Sequence, residues 1–129
     1  MTRKNHYYLK NKIILITGAA GLLGSSLARE ASTLEANLVL TDFNEKKLNN
    51  ITQELLKKNK NIYSLPINLS SNESIDQLFS DTLSKFKKID AAIHCQYPKS
   101  IGFGARFEDL KEENLFKDLN MQLGISILF

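Results

Sequence analysis

Apolar positions along this chain switch period in a regular alternation. The unbroken run Ile13-Ile14-Leu15-Ile16 predicts a strand over residues 12–17, buried on both faces. Leu23, Leu27, Ala31 and Leu34 then recur at helical spacing and predict a helix over 22–34. A second strand is expected over 37–41. A second helix over 45–58 carries Leu48, Ile51 and Leu55 on one stripe, and a third strand spans 62–66. Ser70 with Glu73 three residues on reads as a capping box that opens a third helix, whose stripe is Ile75, Leu78, Phe79, Thr82, Leu83 and Phe86. A fourth strand over 89–95 leads through a loop holding Pro98, Gly102 and Gly104 to a last helix from 112 to the end. Strands alternating with helices predict an α/β fold: a parallel sheet with helices on both faces and right-handed crossovers.

The junction between the first strand and first helix carries the most chemistry. Thr17-Gly18-Ala19-Ala20-Gly21-Leu22-Leu23-Gly24 turns a buried strand into a helix start through three glycines. Such a turn lets the backbone approach a pyrophosphate, and the first-turn N–H groups, which lack partners inside the helix, point at the anion. The spacing is G-x-x-G-x-x-G rather than the usual dinucleotide G-x-G-x-x-G. Asp42 ends the second strand 18 residues past Gly24, near the roughly 20 at which an acid holds the adenosine ribose. The alternative for Asp42 is to cap the helix that follows. Together these features predict the Rossmann order 3-2-1-4, doubly wound. The ligand is expected at the carboxyl ends of the strands, where Gly18, Asp42, Asn68 and His94 fall.

Composition narrows the partners. The 129 residues hold 43% hydrophobic positions, ordinary for one globular domain. No apolar run approaches the roughly 18 residues of a membrane span. Residues 1–11 read as a solvated arm rather than a secretory leader. The net charge of +3 comes from scattered lysines without aromatic interleaving, so no nucleic-acid partner is expected. Cys95 is the sole cysteine, which suits a reducing compartment and makes the cytoplasm the expected location. No second ligand is spaced with His94 to hold a metal. Glu108, Asp109, Glu112 and Glu113 read as a solvated helix start.

The glycine turn, Asp42, Asn68-Leu69 and Ile93-His94-Cys95-Gln96 resemble the N-terminal half of a short-chain dehydrogenase/reductase, over about residues 12–129. Residues 94–99, 107–110 and 119–124 resemble a subgroup linked to flagellin modification and nonulosonic-sugar biosynthesis. The resemblance implies a cofactor site in which Gly18, Gly21, Leu22 and Gly24 form the pyrophosphate turn and Leu23 packs beneath the nicotinamide. It puts Asp42 on both ribose hydroxyls, Asn68 and Leu69 beside the adenine, and His94, Cys95 and Gln96 where the family often has Asn-Asn-Ala-Gly. A carboxylate at position 42 repels a 2′-phosphate, so NAD is expected over NADP. A small-molecule substrate and a homo-oligomeric parent protein are implied as well. The family's supporting Asn falls on Gln122 or on Asn120. A helix turns about 200° in two residues, so both cannot face one site.

Two departures shape the functional expectation. The glycine spacing matches the family's extended branch, which includes nucleotide-sugar epimerases and dehydratases. No Tyr-x-x-x-Lys follows the fourth helix, although the family's proton transfer needs that pair. The chain is therefore expected to be the cofactor-binding portion of a longer oxidoreductase acting on a sugar-like hydroxyl or carbonyl, with little turnover alone. The alternatives are an extended-branch epimerase or dehydratase, or a non-catalytic NAD-binding protein.

Overall fold

A computed structural model describes residues 9–129; most of the predicted amino-terminal arm lies outside the described residues. Four strands, β1 (Ile13–Thr17), β2 (Asn37–Asp42), β3 (Ile62–Pro66) and β4 (Ala91–His94), form one parallel sheet in the order β3-β2-β1-β4. The helices are α1 (Leu22–Thr33), α2 (Glu45–Leu56), α3 (Asn72–Phe86), α4 (Glu112–Leu119) and α5 (Ile125–Leu128). This is the expected Rossmann-type arrangement.

The strand alternation of side chains explains both layers. Ile14, Ile16, Leu38 and Leu40 face one way and meet Ala28, Ala31, Leu48, Ile51 and Leu55 of α1 and α2. Ile13, Leu15 and Val39 face the other way and meet Ile75 and Leu78 of α3 and Ile125 of α5. All five residues of β1 are buried, as a central strand covered on both faces requires. At the rim, Ala91 and Ala92 of β4 are exposed, and α4 buries none of its residues among the described ones. No helix among the described residues is long and apolar enough to cross a membrane.

Two local expectations are corrected. The cap of α3 is Ser71, not Ser70: its hydroxyl accepts from the Ser74 N–H at 3.3 Å, and the Ser74 hydroxyl accepts from the Ser71 N–H at 3.2 Å. Ser70 is held in a tight turn by the Asn68 carbonyl, so Ser71 is first to adopt the extended backbone a cap needs. The last helix is not continuous. A π-turn over Asn120–Gly124 separates α4 from α5, with the Asn120 side chain against Gly124, where a Cβ would meet its Oδ1 at 2.9 Å. Element ends shift by a residue or two elsewhere, most at β4, which is shorter than predicted.

Asp90 fastens the start of β4 to β1. Its Oδ2 accepts from the Ile13 N–H at 2.8 Å, and Lys88 and Lys12 pair with the carboxylate at 2.8 and 3.4 Å. The Lys88 ammonium, then the Ile13 N–H, hold its pKa down to about 2 from the ordinary 3.8. A carboxyl depressed in the folded state stabilises fully above its unfolded pKa and loses that contribution as pH falls through the folded one. In urea titrations, the stability gap between wild type and Asp90→Asn should therefore hold at neutral pH and close between pH 3.8 and about 2. A gap independent of pH across that window contradicts the assignment.

Candidate nucleotide-binding cleft

The turn after β1 is built around glycine at two points. Gly18 has φ +60°, and a Cβ there would lie 2.8 Å from the Cys95 carbonyl, so the turn is pressed against the exit of β4. A Cβ on Gly24 would lie 2.2 Å from the Gly18 carbonyl oxygen, so α1 sits directly on the turn. Gly21 is the N-cap of α1 and donates to the Gly18 carbonyl at 3.0 Å. No side chain caps α1, and its first turn holds no acidic residue. Its leading N–H groups and the positive end of its dipole are thus left for an anion.

Asp42 stands beside this turn, buried at 8% exposure. Its Oδ2 accepts from the Ala20 N–H at 3.0 Å and its Oδ1 from the Asn44 N–H at 2.9 Å. Asn44 in turn caps α2 through the Lys47 N–H at 3.0 Å. The carboxylate therefore latches the glycine turn to the entry of α2, and it also borders the cleft. That cleft, of about 400 Å³, runs between Gly18, Gly21, Leu22, Asp42 and Phe43 on one wall and residues 95–99 on the other.

The remaining predicted residues are distributed around this cleft. Leu23 is exposed at the start of α1, outside the cleft wall, and Gly24 is buried beneath it. Asn68 is exposed, while the Leu69 side chain is in the core and its carbonyl accepts from the Gln96 amide at 2.9 Å. Gln96 thus ties the loops after β3 and β4 together. The His94 ring turns away from the cleft wall: Nδ1 lies 2.9 Å from Thr17 Oγ1 and the ring packs 4.8 Å from Phe129. Its Nε2 is buried with no partner among the described residues, and burial pushes its pKa down, so the ring is neutral near pH 7. Burial pushes the Cys95 thiol up, and Cys95 packs partly against the core beneath α1 and α2. Gln122 donates to the Pro98 carbonyl at 2.9 Å, whereas Asn120 is folded onto Gly124; neither lines the cleft.

Residues 12–120 match the family model for short chain dehydrogenase. The chain belongs to the short-chain dehydrogenase family. It is 30% identical over 122 residues to post-translational flagellin modification protein A of Campylobacter coli, covering 93% of this chain and 48% of that protein. A short chain dehydrogenase from Mycobacterium smegmatis superposes with TM-score 0.77 at 26% identity, covering 93% of this chain and 49% of that one. A short chain dehydrogenase from Leptospira borgpetersenii with bound NAD+ superposes with TM-score 0.75 at 20% identity, covering 94% and 44%. The chain thus spans about half the length of these three proteins.

The cleft also includes residues outside the predicted cofactor set. Phe43, Tyr97 and Lys99 line it, and the loop carrying the last two is fixed by contacts from α4. Ser100 and Asp118 are 18 residues apart, and no local pattern announces that pairing. Phe43 did have a signal: it directly follows the acid at the end of β2.

Proposed function

We propose that residues 12–129 form the NAD-binding portion of an oxidoreductase that moves a hydride at a hydroxyl or carbonyl carbon of a small, sugar-like substrate. The observation that carries this is the open N-terminus of α1, packed through Gly24 onto Gly18, with no side-chain cap and no acidic residue in its first turn. The cradle suits a dinucleotide: the uncapped N–H groups of α1 would hold the diphosphate, and Asp42, which borders the same cleft, would hold the ribose. A bound nicotinamide would accept or deliver the hydride. The carboxylate at Asp42 supports NAD over NADP, and the bound NAD+ of the Leptospira relative agrees. The sugar-like substrate rests on the likeness to the flagellin-modification protein. We further propose a homo-oligomeric, cytoplasmic parent protein. Exposed Phe116, Leu119 and Leu123 support assembly, and the lone Cys95 supports a reducing compartment.

Calorimetric titration of the folded chain should give one NADH per chain and weaker binding of NADPH. A folded sample that binds neither overturns the reading. The 18-21-24 glycine spacing favours a second reading, an extended-branch epimerase or dehydratase of nucleotide-linked sugars. In that case the NADH-loaded protein should also bind a nucleoside diphosphate.

A further inference from the structure

The loop after β4 is unusually well held for an exposed segment. The Ser100 N–H and hydroxyl donate to the two oxygens of Asp118 at 2.6 and 2.9 Å. Two residues upstream, the Pro98 carbonyl accepts from Gln122 at 2.9 Å. Two residues downstream, Gly102 lies so close to Asn114 that a Cβ would meet its amide at 2.2 Å. Three contacts with α4 and the π-turn thus pin residues 98–102. A side chain on so fixed a loop has a fixed origin, which is what recognition requires.

Two of the side chains on this loop, Tyr97 and Lys99, line the cleft. Tyr97 and Phe103 meet edge to face, 5.8 Å between centroids at 88°. The Lys99 ammonium lies 4.8 Å from the Phe103 centroid and 5.9 Å from that of Tyr97. Ring faces attract an ammonium without neutralising it. Asp118, the nearest acid in this network, is committed to Ser100 through both oxygens. Among the described residues no carboxylate pairs with Lys99. Lys99, its ammonium unneutralised beside two aromatic rings, therefore lines the cleft together with Tyr97, across from Asp42 and Phe43. A diphosphate already has the α1 amides on its own side.

We propose that Lys99, set against Tyr97 and Phe103 on a loop pinned to α4, is the residue that recognises an anionic group, phosphate or carboxylate, on a small polyhydroxylated substrate. The Tyr97 ring offers an apolar surface to the C–H groups of such a molecule, Phe103 backs Tyr97 and Lys99, and Asp118 and Gln122 act as positioning residues. This deepens the proposed function and rests on the cleft being the dinucleotide site.

The test is an amide-resolved NMR titration of the full chain, with and without saturating NADH, at constant ionic strength. The probes are sodium phosphate and sodium gluconate. We expect saturable shifts at the amides of residues 97–103. The apparent affinity should fall about tenfold or more in Lys99→Met, the worth of one charge-assisted hydrogen bond. Lys99→Arg should keep most of it. A stronger phosphate response identifies a phosphorylated substrate, and a stronger gluconate response a sugar acid. Shifts that persist in Lys99→Met, or the absence of shifts in wild type, overturn the proposal. So does a loss of NADH affinity in Lys99→Met as large as the loss for the anions, which assigns Lys99 to the cofactor. If wild type binds no NADH yet keeps a Lys99-dependent anion response, the cofactor reading falls and the anion site stands.

Discussion

Gly24→Ala is expected to remove NADH binding and to lower the melting temperature by several degrees. The added Cβ would lie 2.2 Å from the Gly18 carbonyl oxygen, 2.8 Å from its carbon and 2.9 Å from Ala19 Cα. All three are backbone atoms, so no rotamer change relieves the clash; α1 itself must move off the turn. Overpacking of this kind costs about 1–3 kcal/mol. The displaced helix also carries the amides that are to meet the diphosphate, so binding should suffer more than stability. Gly104→Ala is the matched control. Its φ of +83° strains an alanine, but nothing lies within 4 Å of the added methyl and the site is far from the turn in sequence. It should cost about 1–2 kcal/mol and leave NADH binding intact. Wild-type NADH affinity in Gly24→Ala, measured by calorimetry beside a thermal melt, would show that the turn does not hold the diphosphate.

Asp42→Ala is the second large effect. The carboxylate accepts from two backbone N–H groups, those of Ala20 and Asn44, and is itself buried. Its removal leaves both donors without their acceptor, at about 1–3 kcal/mol each where they stay dry. The glycine turn loses its latch to the entry of α2, and any 2′-phosphate loses its opposing charge. NADH affinity should drop by about tenfold or more, while the ratio of NADH to NADPH affinity moves toward unity. The two consequences separate the roles. A drop in NADH affinity with an unchanged ratio assigns Asp42 to the turn alone, as a brace between the glycine turn and the entry of α2.

The fold was legible because its signals are local and redundant. Ile13–Ile16 could only be a strand covered on both sides, and the stripe from Ile75 to Phe86 only one face of a helix. Where neighbouring residues offer equivalent chemistry, the pattern decides less. Ser70 and Ser71 can both cap, and only the turn closed by the Asn68 carbonyl chooses between them. The π-turn at Asn120–Gly124 was hidden because it depends on a side chain folding onto Gly124 and on Gln122 reaching Pro98. In the cleft, Gly18, Gly21, Leu22 and Asp42 were readable from strand–turn–helix order, and Cys95 and Gln96 from the family resemblance. His94 shows where order along a strand falls short. It stands at the carboxyl end of β4, yet its ring pairs with Thr17 and Phe129 and does not line the cleft.

The position of β1 between β2 and β4 also sets a timetable. Its bonds to Asp90 and His94 each span 77 residues, whereas β2 follows it after one helix. At a translation rate of about 5–20 residues per second, roughly 4–15 s separate the making of β1 from that of its second neighbour. Through that interval β1, buried on both faces in the finished sheet, has at most one of its two neighbouring strands, and an unpaired apolar edge on a nascent chain is open to aggregation.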